Sequence, residues 1–142
     1  MGVKANKDAI VLVLNGLVGA GQPLEAVYGY MNPTIEKLPC ALVNFAEGGR
    51  DIRLDTSANW LSSFFAVYIV FRESKTQADV DQVYTTLDQV LDVFNSSSNV
   101  DTLGGAVESF NIESIDPVQF QEATVMMGFR ILISMSEIYP FT

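Results

Sequence analysis

Apolar positions along the chain follow two periods, and these divide it into helices and strands. From Thr76 to Phe94, the residues Val80, Val83, Tyr84, Leu87, Val90, Leu91 and Phe94 recur at helical spacing, with Asp81, Gln82, Asp88, Gln89 and Asp92 between them. That pattern predicts an amphipathic helix with an acidic outer face, docked on a sheet. Trp60 to Arg72 alternates instead, with Leu61, Phe65, Val67, Ile69 and Phe71 on one side and Trp60, Phe64, Tyr68 and Val70 on the other. Both sets are apolar, so the segment predicts a strand either central between two layers or turned toward a neighbouring subunit.

The remaining segments are shorter. Ala9–Leu14, followed by Leu17 and Val18, fits a buried strand or a core helix by periodicity alone. The polar lead-in Asn6, Lys7 and Asp8 offers a cap and Gly19, Gly21 and Pro23 a stop, so a helix is expected. Leu24–Tyr30 and Cys40–Phe45 read as an irregular pair of short strands, the second introduced by Pro39. Between Gly48 and Asn59 the chain is polar, and Ile52 and Leu54 alternate with Arg50, Arg53 and Asp55, which suits a protruding hairpin arm or an ordinary surface loop. After the helix, Asn95–Asn99 is a stop, and a strand is expected from Ala106 to Ile115 before a turn at Asp116 and Pro117. A last strand, Glu122–Ile138, alternates on Val125, Met127, Phe129, Ile131 and Ile133 and should pair antiparallel with it. The expected fold is therefore α+β. One domain over residues 1–142 holds a mostly antiparallel sheet of about four to six strands, with two helices packed on it and a protruding hairpin arm.

Composition changes this picture in one respect. Charged residues make up 18% of the 142 residues, below the usual share of roughly 25%. Interface cores are depleted in charge, so the shortage points to oligomerisation. The net charge is −9, and the nine acids from Asp79 to Glu122 are accompanied by no Lys or Arg between Thr76 and Phe129. Such a surface repels phosphate, which excludes tight or sequence-specific nucleic-acid binding and leaves room for a lining past which DNA slides. The same acids also suit a solvated helix face that keeps the protein in solution.

Candidate chemistry is sparse. There is no histidine, which removes the commonest general base, the usual nucleophilic triads and most transition-metal sites. The single cysteine, Cys40, excludes an internal disulfide, and its place in an apolar strand predicts a buried, inert thiol. No regular ligand spacing occurs among the acids, so no metal is expected. Gly16, Gly19 and Gly21 read G-x-x-G-x-G, the wrong order for a dinucleotide loop, and a phosphate-loop lysine is missing, so no cofactor is expected. The Ala9–Leu14 run is too short to span a bilayer, and Asn6 stands where a myristoylation signal has Ser or Thr. The chain is expected to be neither an enzyme nor a membrane protein.

Taken in order, Leu38–Phe45, Phe64–Glu73, Ala78–Phe94 and Leu103–Val107 resemble the tail terminator and tail-completion proteins of long-tailed bacteriophages, a likeness of layout running from Ile10 to Ile138. The resemblance implies a structural virion protein that forms a hexameric ring on the tail tube, ends tube polymerisation and presents an interface to the head connector. Its implied partners are copies of itself, the tail-tube protein and the head-connector or neck protein, with DNA passing through the ring. Its implied location is the tail–neck region of the virion, and the host cytoplasm during assembly. For such a ring the candidate subunit-interface residues are Arg50, Ile52, Arg53, Leu54 and Trp60, and the candidate acidic channel or solvent face is Asp81, Asp88 and Asp92. Alternative readings are a tail-tube or head–tail joining subunit, or a small ligand-binding or enzymatic α+β domain using carboxylates and tyrosines such as Tyr28, Tyr30 and Tyr68.

Overall fold

The computed structural model describes residues 3–30, 37–47, 51–53, 58–72, 77–96, 109–120 and 126–140. Its elements are α1 (Val3–Asn15), β1 (Ala26–Tyr28), β2 (Cys40–Glu47), β3 (Asp51–Arg53), β4 (Ala58–Arg72), α2 (Gln77–Phe94), β5 (Ser109–Phe120) and β6 (Met126–Pro140). The strands form one sheet in the order β1-β2-β4-β6-β5, and β3 joins β4 on the edge that β2 also uses. Among the described strands β1 and β2 run parallel, and every other pair is antiparallel. This is the expected α+β architecture, a mostly antiparallel sheet with two helices on it.

The long strand lies at the centre. β4 pairs with β6 along its whole length, from Ala58 opposite Pro140 to Arg72 opposite Met126. Residues opposite one another share a face. Val43, Val67 and Ile131 therefore make one row on the helix side, and Phe45, Phe65, Ile133 and Ile112 the next. Into these rows α1 inserts Ile10 and Leu14, and α2 inserts Val83, Leu87, Val90 and Phe94, closing a single main core. The spacing of those α2 residues, four or three apart, is the one that keeps side chains on a single helical face.

Several expectations at element ends are corrected. α1 begins at Val3, so Asn6 is not a cap but a fully buried residue within the helix. The first turn is instead supported by Lys4, whose ammonium lies 2.7 Å from Asp8 one turn on. Tyr84, expected inside, is exposed, because it sits roughly 100° around the helix from Val83; its ring leans against Phe129 at 6.1 Å between centroids. β5 does not turn at Asp116 and Pro117 but runs through both to Phe120. As the outermost strand it has a partner on one side only, where a missing N–H is tolerated. The β1 strand is also shorter than Leu24–Tyr30.

Two glycine positions are demanded by the backbone. Gly21, with φ of 76°, occupies the left-handed region in the turn between α1 and β1; the helix itself already ends at Asn15, before the stop expected at Gly19, Gly21 and Pro23. Gly128 in β6 faces Val70 of β4 so closely that a Cβ would overlap the Ile69 carbonyl oxygen and lie 2.8 Å from its carbon.

Candidate interaction surfaces

The helix-free face of the sheet carries the first surface. Tyr28, Leu42, Tyr68, Arg130 and Asp116 form a row across all five strands of the main path. Cys40, Leu42 and Val70 are buried there beneath Ala26, Tyr28, Leu38 and Tyr68. Phe64, Tyr68 and Leu132 are half-buried on the two central strands, and no helix covers them among the described residues. Toward β5 the same face becomes polar, with Asn111, Ser134 and Glu113, whose carboxylate accepts a hydrogen bond from the Ser134 hydroxyl. β4 is thus apolar on both faces, as its sequence predicts, and among the described residues the helices lie on one side of it.

Burial in this small cluster pushes the Cys40 thiol up to about 11, since the thiolate would lose hydration without gaining a charge partner. The folded protein should therefore resist a thiolate-selective reagent at about pH 8 and react only on unfolding in urea; rapid labelling of the folded state would contradict this burial. Below the ordinary thiol value of 9.0 the full contribution to stability is present, and it is lost as pH rises toward about 11, because the unfolded chain releases its proton first. A Cys40→Ala variant should lack that component of the alkaline slope.

The second surface is the outer side of α2, where Asp81, Asp88 and Asp92 are all exposed. Asp81 accepts a hydrogen bond from the Gln77 amide at 3.0 Å, and Tyr84 stands in the same stripe. The third is a groove of about 490 Å³ at the other side of the molecule, lined by Lys4 and Lys7 of α1, Gly29 and Tyr30 after β1, Val43, Asn44 and Phe45 of β2, and Phe65 of β4. Lys4 and Lys7 share one carboxylate there, Asp8, at 2.7 and 3.3 Å. A smaller pocket of about 350 Å³ lies at the end of β4 between Leu38, Phe71, Arg72 and Asp79.

The predicted interface residues are partly placed. Ile52 and Arg53 belong to β3 and pair with Trp60 and Asn59 of β4, so Ile52 and Trp60 come together in the ladder. Arg50 and Leu54 lie outside the described residues, as do 48–49 and 55–57, on which the expected protrusion of the arm depends. The groove was not anticipated. Its signal in the sequence is Lys4 and Lys7, one helical turn apart just before the Ala9–Leu14 run, but Tyr30 comes from the segment after β1 and Phe45 from β2, and only the fold brings these together.

Among the described residues no group of three or more His, Cys, Asp or Glu is placed to hold a metal ion. No described helix is long and apolar enough to cross a membrane. No protein-family model matches the chain, and no curated protein matches it.

Proposed function

We propose that this chain is a structural subunit that assembles with copies of itself into a ring, and that the ring caps a phage tail tube, ends its polymerisation and joins it to the head connector. The observation that carries the assembly reading is the helix-free sheet face. An antiparallel sheet with one solvated face alternates apolar inside with polar outside, yet here Phe64, Tyr68 and Leu132 stand half-buried on the two central strands of that face. Large aromatic residues at such a position belong to a contact. The low share of charged residues agrees with it, and the base-free acidic stretch from Asp79 to Glu122 suits a channel through which DNA passes without adhering. The tail-terminator role rests on the layout of elements described above. No catalysis, cofactor or metal enters this function.

Electron microscopy of the concentrated protein tests the reading. Closed rings of uniform diameter are expected. Open filaments would replace the terminator role with that of a tail-tube subunit, and dispersed single particles at every concentration would contradict assembly altogether.

A further inference from the structure

The second and third surfaces lie at opposite edges of the sheet. The groove sits over β1 and β2, at one end of the strand order. Tyr84 packs on Phe129 of β6, so the flank of α2 that carries it is turned toward β6 and β5, at the other end. Asp88 and Asp92 follow Tyr84 at successive turns of that flank.

The two surfaces are complementary in charge and in the spacing of the charges. With 8 Lys and Arg against 17 acids, copies of this chain repel one another overall, and a contact that brings its few cations to acids offsets that repulsion. Lys4 and Lys7 are separated by about 4.5 Å along α1 and Asp88 and Asp92 by about 6 Å along α2, so the two pairs match turn for turn. Among the described residues Asp8 is the carboxylate that both lysines reach, and an ammonium group has three donors, which leaves room for a further carboxylate. Beside the charges stand partly exposed rings: Tyr84, which leans on Phe129, is 55% exposed on the acidic side, and Tyr30 and Phe45, in edge contact with Tyr28 and Phe65, are 59% and 40% exposed on the basic side. Large aromatic side chains left in water beside opposite charges have the composition of an interface centre with a polar rim. The groove is open, with the Lys4 side chain 85% exposed, which suits a row of side chains from another protein surface better than an enclosed small molecule.

We propose that successive copies of this chain join edge to edge, with Tyr84, Asp88 and Asp92 of one copy seated in the groove formed by Lys4, Lys7, Tyr30 and Phe45 of the next. The contact uses two different patches, so it is heterologous and propagates around a ring when the rotation closes. This inference rests on the self-assembly reading above and adds to its sheet-face contact a second one between other surfaces.

Charge reversal on each side, followed by mixing, tests it. Lys4→Glu with Lys7→Glu gives a copy acidic on both patches, and Asp88→Lys with Asp92→Lys a copy basic on both; all four positions are at the surface, and circular dichroism verifies folding. By light scattering each variant alone should fall toward the mass of one chain, 15.6 kDa, with association weakened on the order of a hundredfold. Mixed in equal amounts they should reassemble, alternating around the ring. If the wild-type protein assembles and both variants assemble equally well, this interface is overturned and the ring reading stands. Loss of assembly in both variants without recovery in the mixture assigns the patches to other partners and overturns it as well. A wild-type protein that is monomeric throughout removes both the interface and the reading beneath it.

Discussion

A Gly128→Ala variant is expected to lose about 3 kcal/mol of stability, a large effect for one methyl group. The added Cβ meets backbone, namely the Ile69 carbonyl, with its carbon at 2.8 Å and the Val70 Cα at 3.2 Å. No side chain can swing aside to relieve that overlap. Either β4 or β6 must move, and the two are joined by the longest ladder of the sheet, from Ala58 and Pro140 to Arg72 and Met126. Equilibrium urea unfolding of the two proteins measures the difference. A loss below about 0.5 kcal/mol, the range of ordinary surface changes, would show that the strands do not approach so closely at this point.

Truncation of Phe94 should be at least as damaging. Its side chain is fully buried at the last residue of α2, with its ring 5.6 Å from that of Phe110 in β5, so it ties the end of the helix to the far edge of the sheet. A Phe94→Ala change removes that contact and leaves a cavity between rigid elements, at an expected cost of about 4 kcal/mol. Tyr84→Ala, ten residues earlier on the same helix, supplies the contrast: its ring is largely in water, and the monomer should lose about 1 kcal/mol or less. Thermal or urea unfolding of both variants checks the pair, and similar losses at the two positions would mean that the face of α2 turned to the sheet is wrongly assigned.

That contrast also shows where the sequence is informative. The α2 period predicts a helix over Thr76–Phe94, and the helix runs Gln77–Phe94, because a helix brings the four buried apolar positions Val83, Leu87, Val90 and Phe94 onto one face. β4 is equally legible: thirteen residues alternating between two apolar sets predict a strand, and it lies at the centre of the strand order, although its two-faced apolarity fits either a second layer or a neighbouring subunit. Tyr84 misled because an aromatic ring at the border of a helical stripe satisfies the period without being inside it. Asp116 and Pro117 misled for a related reason. They are turn residues by local chemistry, yet a strand at the edge of a sheet has a free side, and the pleat continues through them. At the other end, helix α1 absorbed its predicted cap because Lys4 and Asp8, four apart, support a turn further upstream.

The candidate surfaces divide in the same way. Exposure of Asp81, Asp88 and Asp92 follows from a single helical period, so local spacing suffices to find it. The groove draws Lys4, Tyr30, Phe45 and Phe65 from four separate segments, and its existence depends on β1 lying parallel beside β2 with α1 above them. No local pattern encodes that arrangement. The helix-free face is intermediate, since the two-sided character of β4 announces a second contact layer but does not say that this layer is absent from the helices of the same chain.

The most direct test of the account is the mass of the wild-type protein in solution, measured by light scattering after size exclusion over a wide range of concentration and salt. A discrete closed assembly, near six copies of the 15.6 kDa chain, is the predicted result. A mass of one chain at every concentration, with Phe64, Tyr68, Tyr84 and Phe45 left in contact with water, would contradict it.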